Sequence, residues 1–230
     1  MRCLRVATAA SLAAACAAAF AEDASHYVGD LGIGVERTQA SAPGAHARTW
    51  ALPYAYGDWG SLFIREDTFG AKLVPVGRGA LEVVGRVSTE GTDADGPGLA
   101  HRTNPRPVGL GTFQETPWGG VFVDAFVDTV SGGTLVEASY AAELPLGPVT
   151  VYPQAGLTRR SARYDAHLYD VHAASTTPVL QLSAEWPFAD HWVVTAHAQW
   201  EPFSRLVSDS ARVDAHARAS ALVAVAWRFK

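Results

Sequence analysis

Cysteine is nearly absent. Cys3 and Cys16 are the only two in 230 residues, so the chain beyond residue 16 can hold no disulfide framework and no thiolate metal centre. A helix-length apolar run is missing from the rest of the chain too, which excludes a membrane-spanning helix there. No long stretch has helical period. Basic excess is also lacking: 18 Lys and Arg face 23 Asp and Glu, a net charge of −5, which argues against a nucleic-acid partner. The common hydrolase signatures G-x-S-x-G and H-E-x-x-H do not occur. None of the eight histidines (26, 46, 101, 167, 172, 191, 197 and 216) stands two residues before a serine, the same-face spacing that a Ser–His pair within one strand would favour. A base without an identifiable nucleophile does no covalent chemistry.

What is present begins with the leader MRCLRVATAASLAAACAAAFAED. Arg2 and Arg5 form a positive start, Val6 to Ala18 is a short apolar core, and Ala19-Phe20-Ala21 is an A-x-A site before acidic Glu22 and Asp23. This is the layout of a secretory signal peptide cleaved between Ala21 and Glu22. The rival, lipidation at Cys16, has its large apolar residue, Leu12, one position too far upstream. The expected domains are therefore residues 1–21, signal peptide, and 22–230, a single folded unit. The leader holds two basic residues and no acid, so the mature chain carries −7.

Period-two alternation runs through most of that unit. From Ala217 to Phe229 every odd position is apolar, while Arg218, Ser220 and Arg228 fall on the even face. The same reading gives twelve strands, near 27–36, 49–57, 60–66, 69–76, 80–88, 107–115, 119–129, 134–145, 149–159, 178–187, 191–201 and 217–229. Gly29-x-x-Gly32-x-Gly34 lies inside the first of these with no helix after it, so it reads as small barrel-wall residues and not as a nucleotide loop. Long polar connections (37–48, 89–106, 160–177, 202–216) alternate with tight turns such as Gly77-Arg78-Gly79 and Pro145-Leu146-Gly147-Pro148. An even strand number, short turns at one end and long loops at the other describe an all-β, up-and-down transmembrane β-barrel of the outer-membrane type.

Tryptophan position agrees. Trp59, Trp118, Trp186, Trp192 and Trp227 map to the short-turn rim, and Trp50 and Trp200 to the long-loop rim, as interfacial aromatic girdles require. The inward face is expected to carry Asp30, Lys72, Glu82, Arg86, Asp124, Asp128, Glu137, Glu143, Glu185, His197 and Arg228, with Arg65 nearby. Acids dominate this set, so an open lumen would favour cations, whereas a side-chain network would plug it. Lipid and lipopolysaccharide are the expected surroundings.

Several segments together resemble the MipA/OmpV outer-membrane family (MltA-interacting protein). They are LPYAYGDWGSLFI, ALEVVGRVSTEGTD, VDTVSGGTLVEASYAAELPLGPVTVYPQAGLT, EWPFADHWVVTAHAQW and the ending LVAVAWRF. Their order and spacing carry the match, above all SGGT followed by Y-A-x-x-LPLGP. The resemblance implies an outer-membrane barrel without enzymatic activity or cofactor, acting as a scaffold between a murein hydrolase and a murein synthase. A narrow cation-favouring channel for small solutes or antibiotics is the alternative. Trp227 and Phe229 resemble the C-terminal signal read by barrel-assembly machinery, although Lys230 follows the phenylalanine.

One stretch invites a metal. YDAHLYDVH places Asp165, His167, Asp170 and His172 within nine residues of the long loop between the ninth and tenth strands. The ligand types suit Zn²⁺ or Cu²⁺, but a repeat of five aligns with neither helix nor strand. The blander expectation is that Tyr164 and Tyr169 pack this loop over the barrel mouth. Arg159, Arg160 and Arg163 before it read as a solvated charge run.

Overall fold

The computed structural model describes residues 26–91 and 101–230; the leader with its Ala21/Glu22 junction, and residues 92–100 of one loop, lie outside the described residues. The strands are β1 (Val28–Thr38), β2 (Arg48–Trp59), β3 (Leu62–Arg65), β4 (Thr68–Val76), β5 (Gly79–Arg86), β6 (Pro107–Thr116), β7 (Gly119–Asp128), β8 (Thr134–Ala142), β9 (Leu144–Leu146), β10 (Val149–Arg160), β11 (Ser175–Pro187), β12 (Trp192–Pro202) and β13 (Ala217–Phe229). Each pairs antiparallel with its neighbours, and β1 pairs with β13, so the sheet closes into a barrel. Because β9 only continues β8 past Glu143 along β10, the wall has the twelve staves expected. Where staves pair, closure satisfies the backbone polar groups that hydrocarbon cannot.

The alternation sorts the two faces as the sequence predicts. Ile33, Val35, Leu110, Leu182 and Val223 point outward and are exposed, while Asp30, Glu82, Thr158 and Leu222 point inward and are buried. Gly32 and Gly34 line the inner side of β1, where an added Cβ would strike Ala226 or Leu222. The turns at the end bearing both strand termini are tight. Gly77 and Gly147 supply the left-handed conformation there, with φ of 63° and 65°.

The tryptophans need one correction. Trp59, Trp186, Trp192 and Trp227 lie on the outward parity at the short-turn end, with Trp118 at a turn tip, and Trp200 lies outward at the other end. Trp50, in contrast, sits opposite Glu36, on the inward-facing row, so it cannot belong to the lipid-facing girdle. Parity along β2 decides this, and position at a rim does not.

The long-loop end departs from expectation. Residues 162–169 form a helix, α1 (Ala162–Tyr169), capped by Ser161 and ended by Asp170 in the left-handed region. A second short helix, α2 (Arg205–Ser208), follows β12. Tyr164, Leu168 and Tyr169 are buried with Phe126, Leu135, Val207 and Val213, so α1 plugs the mouth. The wall beneath is uneven. β3 pairs with β2 only from Tyr56 to Trp59, so among the described residues Thr49–Tyr54 of β2 have β1 as their one strand neighbour.

Candidate functional site, a capped and charged lumen

Three tiers of inward side chains fill the barrel. The lowest, near the short turns, is made of ion pairs. Arg228 bridges Asp30 (2.6 and 2.8 Å) and Glu185. Lys72 meets Asp58 at 2.8 Å, and Arg65 grips Glu82 with both terminal nitrogens at 2.9 and 3.0 Å. The Arg65 guanidinium also lies 4.1 Å over the Phe63 ring. Glu143 falls at the break between β8 and β9 and is exposed.

The middle tier surrounds a cavity of about 360 Å³. Tyr54, Glu66, Arg86, Asp124, Glu137 and His197 help to line it. Arg86 is held by Glu137 at 2.6 Å and faces Asp67 at 3.6 Å. A pair invisible in sequence spacing appears here: Ser183 and His197 are directly opposite on β11 and β12, with Oγ 2.8 Å from Nδ1. Cross-strand register brings them together, so a search along one strand misses them. Glu66 lies 3.8 Å from the same Nδ1. A catalytic triad instead needs serine and acid on opposite ring nitrogens.

The upper tier locks the plug. Arg160 is 4 % exposed and contacts Glu201 (3.1 Å to Oε2), Glu90 (3.4 Å) and Thr177 (3.4 Å). Thr177 donates to Glu201 at 2.7 Å. Arg218 pairs with Glu90 and donates to the Tyr169 hydroxyl at 2.6 Å, and the Tyr164 hydroxyl donates to Glu90 at 2.6 Å. Burial opposes ionisation of Glu90, but Arg218 and Arg160 outweigh it and hold its carboxyl at about 2. Burial, then Glu90, pushes the Tyr164 phenol far up. Arg160 is therefore no solvated surface charge; only its neighbours Arg159 and Arg163 are exposed. The signal was available, since Arg160 shares inward parity with Gln154 and Thr158.

The four candidate metal ligands do not converge. Asp165 is fully buried on the inner face of α1, where burial raises its carboxyl against the opposing pull of Ser175. Asp170 is claimed by Arg212 and, at 2.5 Å, by Arg102. The ring of His167 lies 2.9 Å from the Thr103 carbonyl, and His172 is exposed. Among the described residues no group of three or more such side chains has a geometry that could hold a metal. Asp128, expected in the lumen, is also spent elsewhere. Its carboxylate accepts from the backbone N–H groups of Arg106 (2.6 Å), Val130 (3.2 Å) and Ser131 (2.7 Å), tying down the β7–β8 turn.

The model of the family described as MltA-interacting protein MipA matches residues 31–229. The chain belongs to the MipA family. Curated relatives titled "Putative outer membrane protein YiaT", from Escherichia coli O157:H7 and Escherichia coli strain K12, are 21 % and 20 % identical over 221 residues. Both alignments cover 86 % of this chain and 90 % of the relative. Among solved structures, OmpT of Vibrio cholerae, an outer membrane protein, aligns over 88 % of this chain and 96 % of that chain, at 9 % identity and a TM-score of 0.38. With its closed sheet and the family match, this member of the MipA family is an outer-membrane barrel, and its mouth is capped by α1.

Proposed function

We propose that this MipA-family barrel is a non-enzymatic envelope scaffold whose short-turn face, directed to the periplasm, engages a murein hydrolase and links it to a murein synthase. The observation that carries the reading is the plug. Tyr164, Leu168 and Tyr169 are buried in the mouth and tied down through Glu90, Arg160 and Arg218, as suits a barrel that binds on its surface better than one that conducts. The family description, MltA-interacting protein, supports a murein enzyme as partner. Trp118, 77 % exposed at the tip of the β6–β7 turn, is an apolar anchor of the kind that interface centres use. Crosslinking in the native host followed by purification of the tagged barrel tests this. Recovery of murein hydrolase and synthase, reduced by Trp118→Ala, is the expected result; recovery of neither counts against the scaffold.

A second reading, a narrow cation-favouring channel, is favoured by the cavity lining, where the acids Asp30, Glu66, Asp67, Asp124, Glu137 and Glu185 outnumber the arginines Arg65 and Arg86, even with Arg228 paired to Asp30 and Glu185. A steady cation-selective current through the wild-type barrel in planar bilayers would select it. The outward apolar band is matched to lipid and lipopolysaccharide, and Trp227 with Phe229 supplies the segment offered to barrel-assembly machinery. Deleting Phe229 should slow insertion into vesicles that contain that machinery.

A further inference from the structure

The barrel wall has a notch. β2 is twelve residues long, yet β3 pairs with only its last four before the chain turns back at Glu66 and Asp67. The Glu66 N–H bonds the Ala55 carbonyl at 3.3 Å. That places the floor of the notch four residues above Trp59, roughly 13 Å along the strand. Outward-facing Trp59 lies at the membrane rim, so the floor sits at hydrocarbon depth. Above it, one edge of β2 has no strand partner among the described residues. Strand alternation puts Pro53 and Ala51 on the same edge as Ala55. Proline has no N–H to leave unsatisfied there, and it resists the addition of another strand.

Behind the notch lies the cavity, and Glu66, Asp67 and Thr68 line both. The Glu66 and Asp67 side chains are 30 % and 59 % exposed. Glu66 faces His197, and Asp67 accepts from the Thr68 hydroxyl at 2.9 Å and shares Arg86, which is held more closely by Glu137. The threshold is therefore acidic, while exposed Pro53 and Phe69 flank it on the lipid side. An anionic lipid head is repelled at such a place; a positive head on an apolar tail fits both halves of it.

We propose that the notch is a lateral port through which a single-chain amphiphile with a cationic head passes from the outer leaflet into the lumen cavity. The head rests between Glu66 and Asp67, and the tail remains along Pro53 and Phe69. The port bypasses the plugged mouth, so it stands or falls separately from the scaffold reading.

The test uses the whole barrel in phosphatidylcholine nanodiscs. The probe is dodecyltrimethylammonium carrying a diazirine in mid-chain, with a sulfonate-headed analogue as the contrast. Saturable labelling confined to residues 48–55 and Phe69 is expected, and the sulfonate should label neither. Glu66→Gln and Asp67→Asn should each raise half-saturation about fivefold, the scale of one partly solvated charge pair. Heat-modifiable migration identifies the folded variants, and the exposed Asp67→Asn is read alone if Glu66→Gln does not fold. Equal labelling by both head groups, or labelling spread around the barrel, overturns the proposal. So does disulfide dimer formation by Ala51→Cys in the nanodisc, which would make this edge a contact between two copies.

Discussion

Arg160 shows how much one side chain carries in a narrow lumen. It neutralises buried Glu201 and mostly buried Glu90. Buried pairs add little net stability over an apolar substitute, but removing one partner strands the other. Arg160→Met is therefore expected to lower unfolding stability by about 3–5 kcal/mol, read by urea denaturation in lipid vesicles. Lys72→Met, in a half-exposed pair, should cost under about 1 kcal/mol. Glu90 sets the pH response. Its folded value of about 2 lies below that of a free carboxyl, so its contribution is complete above the ordinary carboxylate range and fades as pH falls toward 2. Amide protection in α1 should stay flat from pH 8 to about 5 and decline below that. Since Asp165, Asp170, His167 and His172 point to four different partners or surroundings, Zn²⁺ titrations of the wild type and of a His167→Ala/His172→Ala variant should superimpose.

At the scale of elements, α1 depends on its cap. Ser161 Oγ accepts from the Tyr164 N–H and, at 2.8 Å, from the Thr134 N–H, while its own N–H donates to the Thr134 carbonyl at 2.9 Å, so the cap is anchored to the start of β8. Ser161→Ala should destabilise the helix by about 1 kcal/mol, seen as faster proteolysis within residues 162–172 while the barrel stays heat-modifiable. This helix also marks where reading the sequence fails. Period two reveals a strand because one face meets lipid along its whole length, and all twelve staves emerge that way. An eight-residue helix spans two turns, too few for a 3.6 period to stand out, and its Tyr-Asp repeat obscures what there is. Ser161 followed by acidic Asp165 was the usable clue. The cross-strand meeting of Ser183 with His197 was fixed by register, whereas the inward rows that carry Trp50 and Arg160 follow from parity along their own strands. Register can be read only once strand ends are known to within one residue.

At the scale of the whole molecule, the plug and the cavity make opposite claims on transport, and replacing Tyr164 and Tyr169 together separates them. The wild-type barrel should give no steady current in planar bilayers. The Tyr164→Ala/Tyr169→Ala variant loses two buried rings and their hydrogen bonds to Glu90 and Arg218, and it should pass small cations in preference to anions, read as a shifted reversal potential in a salt gradient.

The pairing of the first strand with the last has a consequence for how the molecule is made. Ten residue pairs join β1 to β13, from Gly29 with Phe229 to Thr38 with Ser220. These contacts span nearly the whole chain, so they carry the largest loop-closure entropy in the molecule and raise its contact order. No subset of strands can complete the ring early. A chain that ends before residue 217 is left with β12 and β1 as two bare edges, ready to pair with another copy. Folding therefore waits for the thirteen residues of β13, and a truncation that removes little mass removes the pairing that closes the ring.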